Sequence, residues 1–314
     1  MAEVVTVENF VRAETFRMLT DIMRQAGGIN RFGHLRRPTP LDQQTVIRMN
    51  RDTLYSFAVL DLAGGAVVSL PDAAGRYLSL MIVNQDHYIN RVVHDAGEHQ
   101  LTTDDFDTRY VLAAVRILVQ PDDASDVAAV NALQDGVAVS AGSAEPLVMP
   151  DYDPKSFAAV REALLVLGKG VGSFAHAFGR RDEVDPIRHL VATEGGWGGL
   201  PDSEAVYVNV APEVPVGEYK IVVHDVPVDA FWSISIYNAK GFFEPSDHGG
   251  CSLNSVTAHN EPDGSVKVHL GGCDDDRPNC VHLMEGWNYI VRMYRPQAQV
   301  LDGTWTFPQA QPVR

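Results

Sequence analysis

The feature that most constrains this chain is the rhythm of its apolar runs. From about residue 45 to 120, and again from about residue 205 onward, apolar residues come in short blocks cut by glycine, proline and aspartate. "AGG", "PDAAG" and "DAGEH" separate "GRYLSLMIV" from "TRYVLAAVRILV". Further along come "AVYVNV", "GEYKIVVHD", "FWSISIY", "DGSVKVHL" and "WNYIVRMYRP". Blocks of this length with such punctuation predict strands joined by turns. Their regular spacing in the last third predicts a jelly-roll-like β-sandwich. Helical periodicity is confined elsewhere. Residues 7–25 carry Val7, Phe10, Phe16, Leu19, Ile22 and Met23 at three- and four-residue spacings, stopped by Gly27 and Gly28. Helices are also predicted near 124–135 and over 154–167, the latter with Pro154 near its start and Gly168 past its end. Residues 168–200 read as Gly-rich and irregular. The expected fold is α+β and mainly β. It comprises a β-rich N-terminal domain with a leading helix (1–150), a helical and Gly-rich connector (151–204) and a jelly-roll-like domain (205–314).

Charge narrows the function classes. Forty-one acidic residues against 25 basic ones give a formal net charge of −16, which disfavours nucleic acid and anionic lipid as partners. No stretch approaches the ~20 apolar residues of a membrane span. "MAEVVTVENFVRAETF" lacks the basic-then-apolar order of a secretory signal. A cytoplasmic location is therefore expected, with self-association left open. Cys273 and Cys280 bracket the polar loop "CDDDRPNC" and suit a bridge across a hairpin, or reduced thiols if the compartment is reducing. Cys251 reads as a small core residue.

Several familiar chemistries are missing. No serine stands in a G-x-S-x-G frame, and no HExxH or P-loop occurs. "GKGVGS" fails both phosphate-loop spacings. Adjacent acids in "CDDDRPNC" read as solvated and lack the calcium-loop spacing. The histidines show no convincing metal spacing, so no cofactor is expected and a metal ion is left open.

Polar residues at strand ends are what remains. "VIRMNRDTLYSFAVLDLAGG" places charged and hydrogen-bonding groups inside an apolar run. Read as extended chain, it puts Arg48, Asn50 and Asp52 on one face, opposite Ile47 and Met49. Arg48 could pair with Asp52 or anchor a substrate carboxylate. "NQDHY" follows the strand "YLSLMIV" and supplies Asn84, Asp86, His87 and Tyr88. An aspartate beside a histidine can orient an imidazole as a general base; the plainer reading has Asp86 starting a turn and His87 exposed on a strand. "TEGGWGG" puts Glu194 and Trp197 in a glycine-rich frame suited to a pocket rim. Trp232, Trp287 and Trp305 read as core.

In order along the chain, "NRDTLYS", "LDLAGG", "SLPDAAGRYLSLMIVNQDHY" and "TRYVLAAVR" are followed by "VDAFWSISIYNAKGFF", "DGSVKVHLGGC" and "GWNYIVRMYRPQAQVLDGTWTFP". Over about residues 40–314 the chain thereby resembles proteins that pair the domains of unknown function 1254 and 1214. Cys251 and Glu285 depart from the pattern, where an aromatic residue and a proline are commoner. The resemblance implies a two-part β-rich architecture with a jelly-roll-like C-terminal domain and helices at the join, and it implies no reaction.

Two readings of function follow. In one, the protein is an enzyme acting on a small organic substrate by acid–base chemistry, a hydrolase or lyase with its site in an inter-domain cleft. Asp52, Tyr55, Asp86 and His87 would be catalytic, and Arg48, Asn50, Asn84, Tyr88, Glu194 and Trp197 would bind substrate. In the other, it is a non-catalytic small-molecule-binding or assembly protein. Its polar groups then form a structural network, with Arg48 paired to Asp52, Asn50 capping a turn and Tyr55 packed.

Overall fold

The computed structural model describes residues 2–44, 47–171, 173–275 and 277–313. Val46, Gly172 and Asp276, each within a stretch singled out above, lie outside the described residues. The fold is α+β and mainly β. The chain forms two compact units, each built from two separate stretches. Met1–Arg37 joins Thr53–Asp202, and Pro38–Asp52 joins Ser203–Arg314.

The first unit begins with helix α1 (Phe10–Gln25), followed by strands β1 (Gly33–His34), β2 (Thr53–Asp61), β3 (Ala66–Leu70), β4 (Leu78–Asn84), β5 (Ile89–Val93) and β6 (Gly97–Leu101). Then come α2 (Thr103–Phe106), β7 (Tyr110–Leu118), α3 (Ala124–Asp135), β8 (Ala138–Ala141), α4 (Pro154–Gly168) and α5 (Pro186–Gly195). Five strands make an antiparallel sheet in the order β1-β2-β7-β4-β5, and three make a second, β6-β3-β8. Alternation along the central strands decides where the core sits. Leu54, Ala58 and Leu60 of β2, Leu78, Leu80 and Ile82 of β4, and Val111, Val115 and Ile117 of β7 bury one face. They pack with Ala66, Val68 and Leu70 of β3 and Val130 of α3. The intervening residues, Tyr55, Ser79 and Arg116 among them, occupy the other face.

The helices start and stop for local reasons. Gly27 and Gly28 take positive φ (78° and 139°) and donate to Arg24 O and Met23 O, which ends α1. Asp153 caps α4 by accepting from Ser156 N at 2.8 Å, with Pro154 in the first turn. Asp185 does the same for α5 by accepting from the N–H groups of Ile187 and Arg188. Helix α5 corrects the expectation of an irregular stretch over 168–200. "DPIRHLVATEG" has an aspartate cap and a first-turn proline, and the surrounding glycines mask them. Val5, Phe10, Ala13, Leu164 and Val191 form a separate small core among α1, α4 and α5.

The second unit holds β9 (Ala205–Val210), β10 (Tyr219–Val223), β11 (Trp232–Tyr237), β12 (Ser252–Asn254), β13 (Val266–Leu270), β14 (Cys280–Val281), β15 (Asn288–Tyr294), α6 (Ala298–Leu301) and β16 (Gln311–Pro312). They form two four-stranded sheets, β14-β13-β10-β16 and β12-β11-β15-β9. Inward residues of both sheets share one core of Ile221, Val268, Ile234, Ile236 and Val291, which makes the expected sandwich. Trp232 and Trp287 are buried in that core, and Trp305 packs at its margin. Cys273 and Cys280 are joined as a disulfide, and the Cys251 thiol reaches Glu244 O at 3.5 Å. Among the described residues no helix is long and apolar enough to cross a membrane.

Candidate functional site

The residues singled out in the sequence fall in both units. Arg48, Asn50 and Asp52 belong to the second; Tyr55, Asn84, Asp86, His87, Tyr88, Glu194 and Trp197 belong to the first.

In the second unit, residues 47–52 are not a strand. Arg48 has φ 54° and its N–H donates to Gly241 O at 2.7 Å, while Asp52 N donates to Asn50 Oδ1 at 2.8 Å. This is turn geometry, so the expected shared face of Arg48, Asn50 and Asp52 does not exist. Strand β2 begins only at Thr53. Arg48 does not pair with Asp52; its guanidinium donates to Asn209 Oδ1 at 2.5 Å. Asn50 does cap a turn, and it also donates to Tyr294 Oη at 2.8 Å.

Asp52 is instead received by β11 and β15. Their outer face carries Ser233, Ser235 and Tyr237 beside Arg292 and Tyr294, because Trp232, Ile234, Ile236, Val291 and Met293 take the core side. Ser233 Oγ donates to Asp52 Oδ2 at 2.6 Å, and Tyr294 Oη donates to the same oxygen at 3.4 Å. The buried Arg292 donates to Ser235 Oγ (2.9 Å), Tyr237 Oη (2.8 Å) and Arg48 O (3.0 Å). Tyr237 donates onward to Met49 O at 2.8 Å. Burial pushes the Asp52 carboxyl above its ordinary range, only partly offset by the positive charge of Arg292 and the bonds from Ser233 and Tyr294. Its second oxygen, Oδ1, accepts from no described residue.

In the first unit, "NQDHY" is a tight turn. Asn84 Oδ1 accepts from Asp86 N (2.9 Å) and Tyr88 N (3.0 Å), Asn84 Nδ2 donates to Phe106 O (3.1 Å), and His87 takes φ 63°. Asp86 does not orient His87. Its carboxylate is held in a two-pronged pair by Arg12, at 2.6 and 2.7 Å. His87 is not the exposed strand residue of the plainer reading either. It is wholly buried, stacked between Trp197 (5.3 Å between ring centres, 9° between planes) and His189 (5.3 Å, 29°). Tyr88 stacks on His189 at 4.7 Å.

The bonds around His87 fix its tautomer. Thr193 Oγ1 donates to His189 O at 2.8 Å, so at 2.9 Å it must accept from His87 Nδ1–H. Nε2 then carries the lone pair and accepts Gly198 N–H at 2.9 Å. Burial, reinforced by His189, holds the imidazole well below its ordinary pKa and so neutral. Both ring nitrogens serve the fold, and proton exchange with a substrate would break one of these bonds.

Trp197 donates from Nε1 to Thr15 Oγ1 at 3.2 Å. Glu194 lies in α5 rather than in the glycine frame, and its carboxylate pairs with Arg161 at 2.8 Å. Tyr55 stacks on Phe57 (5.5 Å) beneath the guanidinium of Arg116 (5.4 Å). Among the described residues no group of three or more His, Cys, Asp or Glu side chains could hold a metal ion.

Sequence reasoning missed Arg292, Ser233, Ser235, Tyr237, Tyr294, Thr193 and Arg116. The alternation of "WSISIY" was a usable signal, since two serines and a tyrosine on one strand face need partners once buried. Arg292 and Arg116 each stand alone inside an apolar strand, and such a cation is itself a signal.

The family model described as protein of unknown function DUF1254 matches residues 29–104, and that described as protein of unknown function DUF1214 matches residues 214–298. No curated protein matches the chain. Among solved structures it is similar to the VPA0106 protein from Vibrio parahaemolyticus, with a TM-score of 0.75, 17% identity and 98% of both chains covered. It is also similar to a putative uncharacterized protein from Burkholderia cenocepacia, with a TM-score of 0.55, 14% identity, and 97% of this chain and 86% of that one covered. At these identities the likeness is one of fold. Both domain models match in the order the motifs run, and the chain belongs to the family of proteins that pair DUF1254 with DUF1214.

Proposed function

We propose that the protein is an enzyme that acts on a small organic substrate by acid–base chemistry, with Asp52 as the group that carries the proton. The observation that supports this most is the state of Asp52. It is a buried carboxyl with a raised pKa; among the described residues it has no direct ion pair, one oxygen is committed to Ser233 and Tyr294, and the other accepts from none. Burial raises a carboxyl toward the pH at which it can both take and give a proton. Arg292 supplies fixed positive charge nearby. Hydrolysis or elimination without an organic cofactor fits this set, because each needs one positioned base. We place the protein in the cytoplasm, where the Cys273–Cys280 disulfide would meet a reducing environment. A disulfide found after rapid alkylation of cell extracts would place it elsewhere.

The test is a screen of small esters, hydroxy acids and their dehydration products, followed by Asp52→Asn. The reading expects a loss of about 10²-fold or more in kcat with folding retained. It also expects an acidic limb in the kcat/KM profile that lies above the ordinary aspartate range and disappears in Asp52→Asn. An activity unchanged by the substitution removes Asp52 from the mechanism.

A second reading is favoured by His87. Its closed bonding, like that of Asn84 and Asp86, is what a structural network provides. In this reading the protein binds or assembles without catalysis, and the same screen would stay blank.

A further inference from the structure

Arg116 raises a separate question. It lies in the middle of the five-stranded sheet and is only 7% exposed. Among the described residues it has no carboxylate partner. Nη2 donates to Gly198 O at 2.7 Å, Nη1 reaches Met81 Sδ at 3.7 Å, and the guanidinium lies over the Tyr55 ring at 5.4 Å. Nε donates to no described acceptor. A carbonyl, a thioether and a ring face offset the positive charge only in part, and a buried cation with no anion beside it is costly. Arg292, buried more deeply still, has a carboxylate nearby, Asp52, that offsets its charge.

The strand register shows what surrounds Arg116. Tyr55 of β2 stands directly opposite it on one side and Ser79 of β4 on the other. All three face away from the apolar core of the unit. Two residues before Tyr55 on the same face is Thr53, whose buried Oγ1 has no hydrogen-bond partner among the described residues. The flanking positions on this face are apolar: Phe57 and Met81 on one side, Leu118 on the other. A polar row one residue deep therefore crosses three strands, with an unmatched hydroxyl beside it and apolar rows along it.

We infer that Arg116 is the anchor of a binding site for a small organic monocarboxylate. The planar fork of a guanidinium matches a carboxylate in two parallel bonds. One cation balances one negative charge, which fits a carboxylate better than a phosphate dianion. The Thr53 hydroxyl gains the partner it lacks, and the Phe57, Met81 and Leu118 rows suit an apolar or aromatic body. The site is independent of Asp52 and of the reaction proposed for it.

The experiment is calorimetric titration of the full chain with benzoate, butyrate and inorganic phosphate at fixed ionic strength. Thermal unfolding with each anion runs beside it, with chloride as control. Saturable carboxylate binding is expected, with Tm rising as ligand is added. Arg116→Met keeps the length and apolar packing and should weaken binding at least about tenfold. Arg116→Lys keeps the charge and loses the fork, so it should bind more weakly than wild type and more tightly than Arg116→Met. Thr53→Val keeps the shape and should weaken binding by a smaller factor. If Arg116→Met does not fold, the other two variants carry the test. Three results overturn the inference: no saturable carboxylate binding by the wild type, equal binding by the folded variants, or phosphate bound more tightly than either carboxylate.

Discussion

His87 and Asp52 are both fully buried and both titratable, and their surroundings treat them in opposite ways. Around His87 every hydrogen-bonding atom is spent: Nδ1 on Thr193, Nε2 on Gly198, and both ring faces on Trp197 and His189. Asp52 spends one oxygen on Ser233 and Tyr294 and keeps the other. Burial drives both toward the neutral form, which lowers the histidine and raises the carboxyl. The difference teaches that burial by itself does not mark a reactive group. The completeness of the bonding separates the two: the ring nitrogens of the histidine are both committed, and the aspartate has an oxygen with no donor among the described residues.

The comparison breaks most sharply under substitution. His87→Ala leaves Thr193 and the Gly198 N–H unmatched and opens a void between two rings. It should cost about 3–4 kcal/mol in urea unfolding. A loss below 1 kcal/mol would mean that the stacked arrangement is not holding the unit together. The next effect is in pH. His87 binds its proton less readily folded than unfolded, so its share of stability is present above the unfolded pKa of about 6.5 and is lost as pH falls below it, by at most about 1.4 kcal/mol per pH unit. Asp52 has the opposite sign. Its folded pKa is raised, so stability falls as pH rises from about 4 through that value. Urea midpoints from pH 4 to 8 should show the acid-side loss flattened in His87→Gln, and the alkaline-side decline flattened in Asp52→Asn.

Asp52→Asn itself should change stability at pH 7 by no more than about 1 kcal/mol, because it removes the cost of a buried charge together with hydrogen bonds. A loss as large as that of His87→Ala would make the two sites alike and the aspartate structural. Smallest is Arg12→Ala. The Arg12–Asp86 pair is more than a third exposed, so solvent screening should limit its effect to about 0.5–1 kcal/mol. The tautomer and stacking of His87 should stay intact, as its side-chain NMR signals would report.

What was legible in the sequence was local. The three- and four-residue spacing over residues 7–25, the proline at the start of α4 and the alternation of "WSISIY" all rest on neighbours a few residues apart. Helix α5 carried similar signals, but glycines on both sides of it read as irregular chain. The sites were much less legible, because their bonds reach far. Asp52 meets Ser233 across 181 residues and His87 meets Thr193 across 106. Adjacency in sequence suggested the pairs Asp86 with His87 and Arg48 with Asp52, and in both cases turn geometry sends the two side chains to different partners. Asn50 was readable as a turn cap because that bond is local.

Residues 38–52 are counted in the first domain model by sequence, yet they belong to the second compact unit. The chain lends the sandwich a strap from upstream before returning to finish its own sheet. Residues 203–314 made alone would leave the sheet face bearing Arg292, Tyr237 and Ser233 bare, and should precipitate unless a peptide of residues 38–52 is supplied. Inheritance of one half without the other would strand that strap, which gives a mechanical reason for the two domains to travel as a pair.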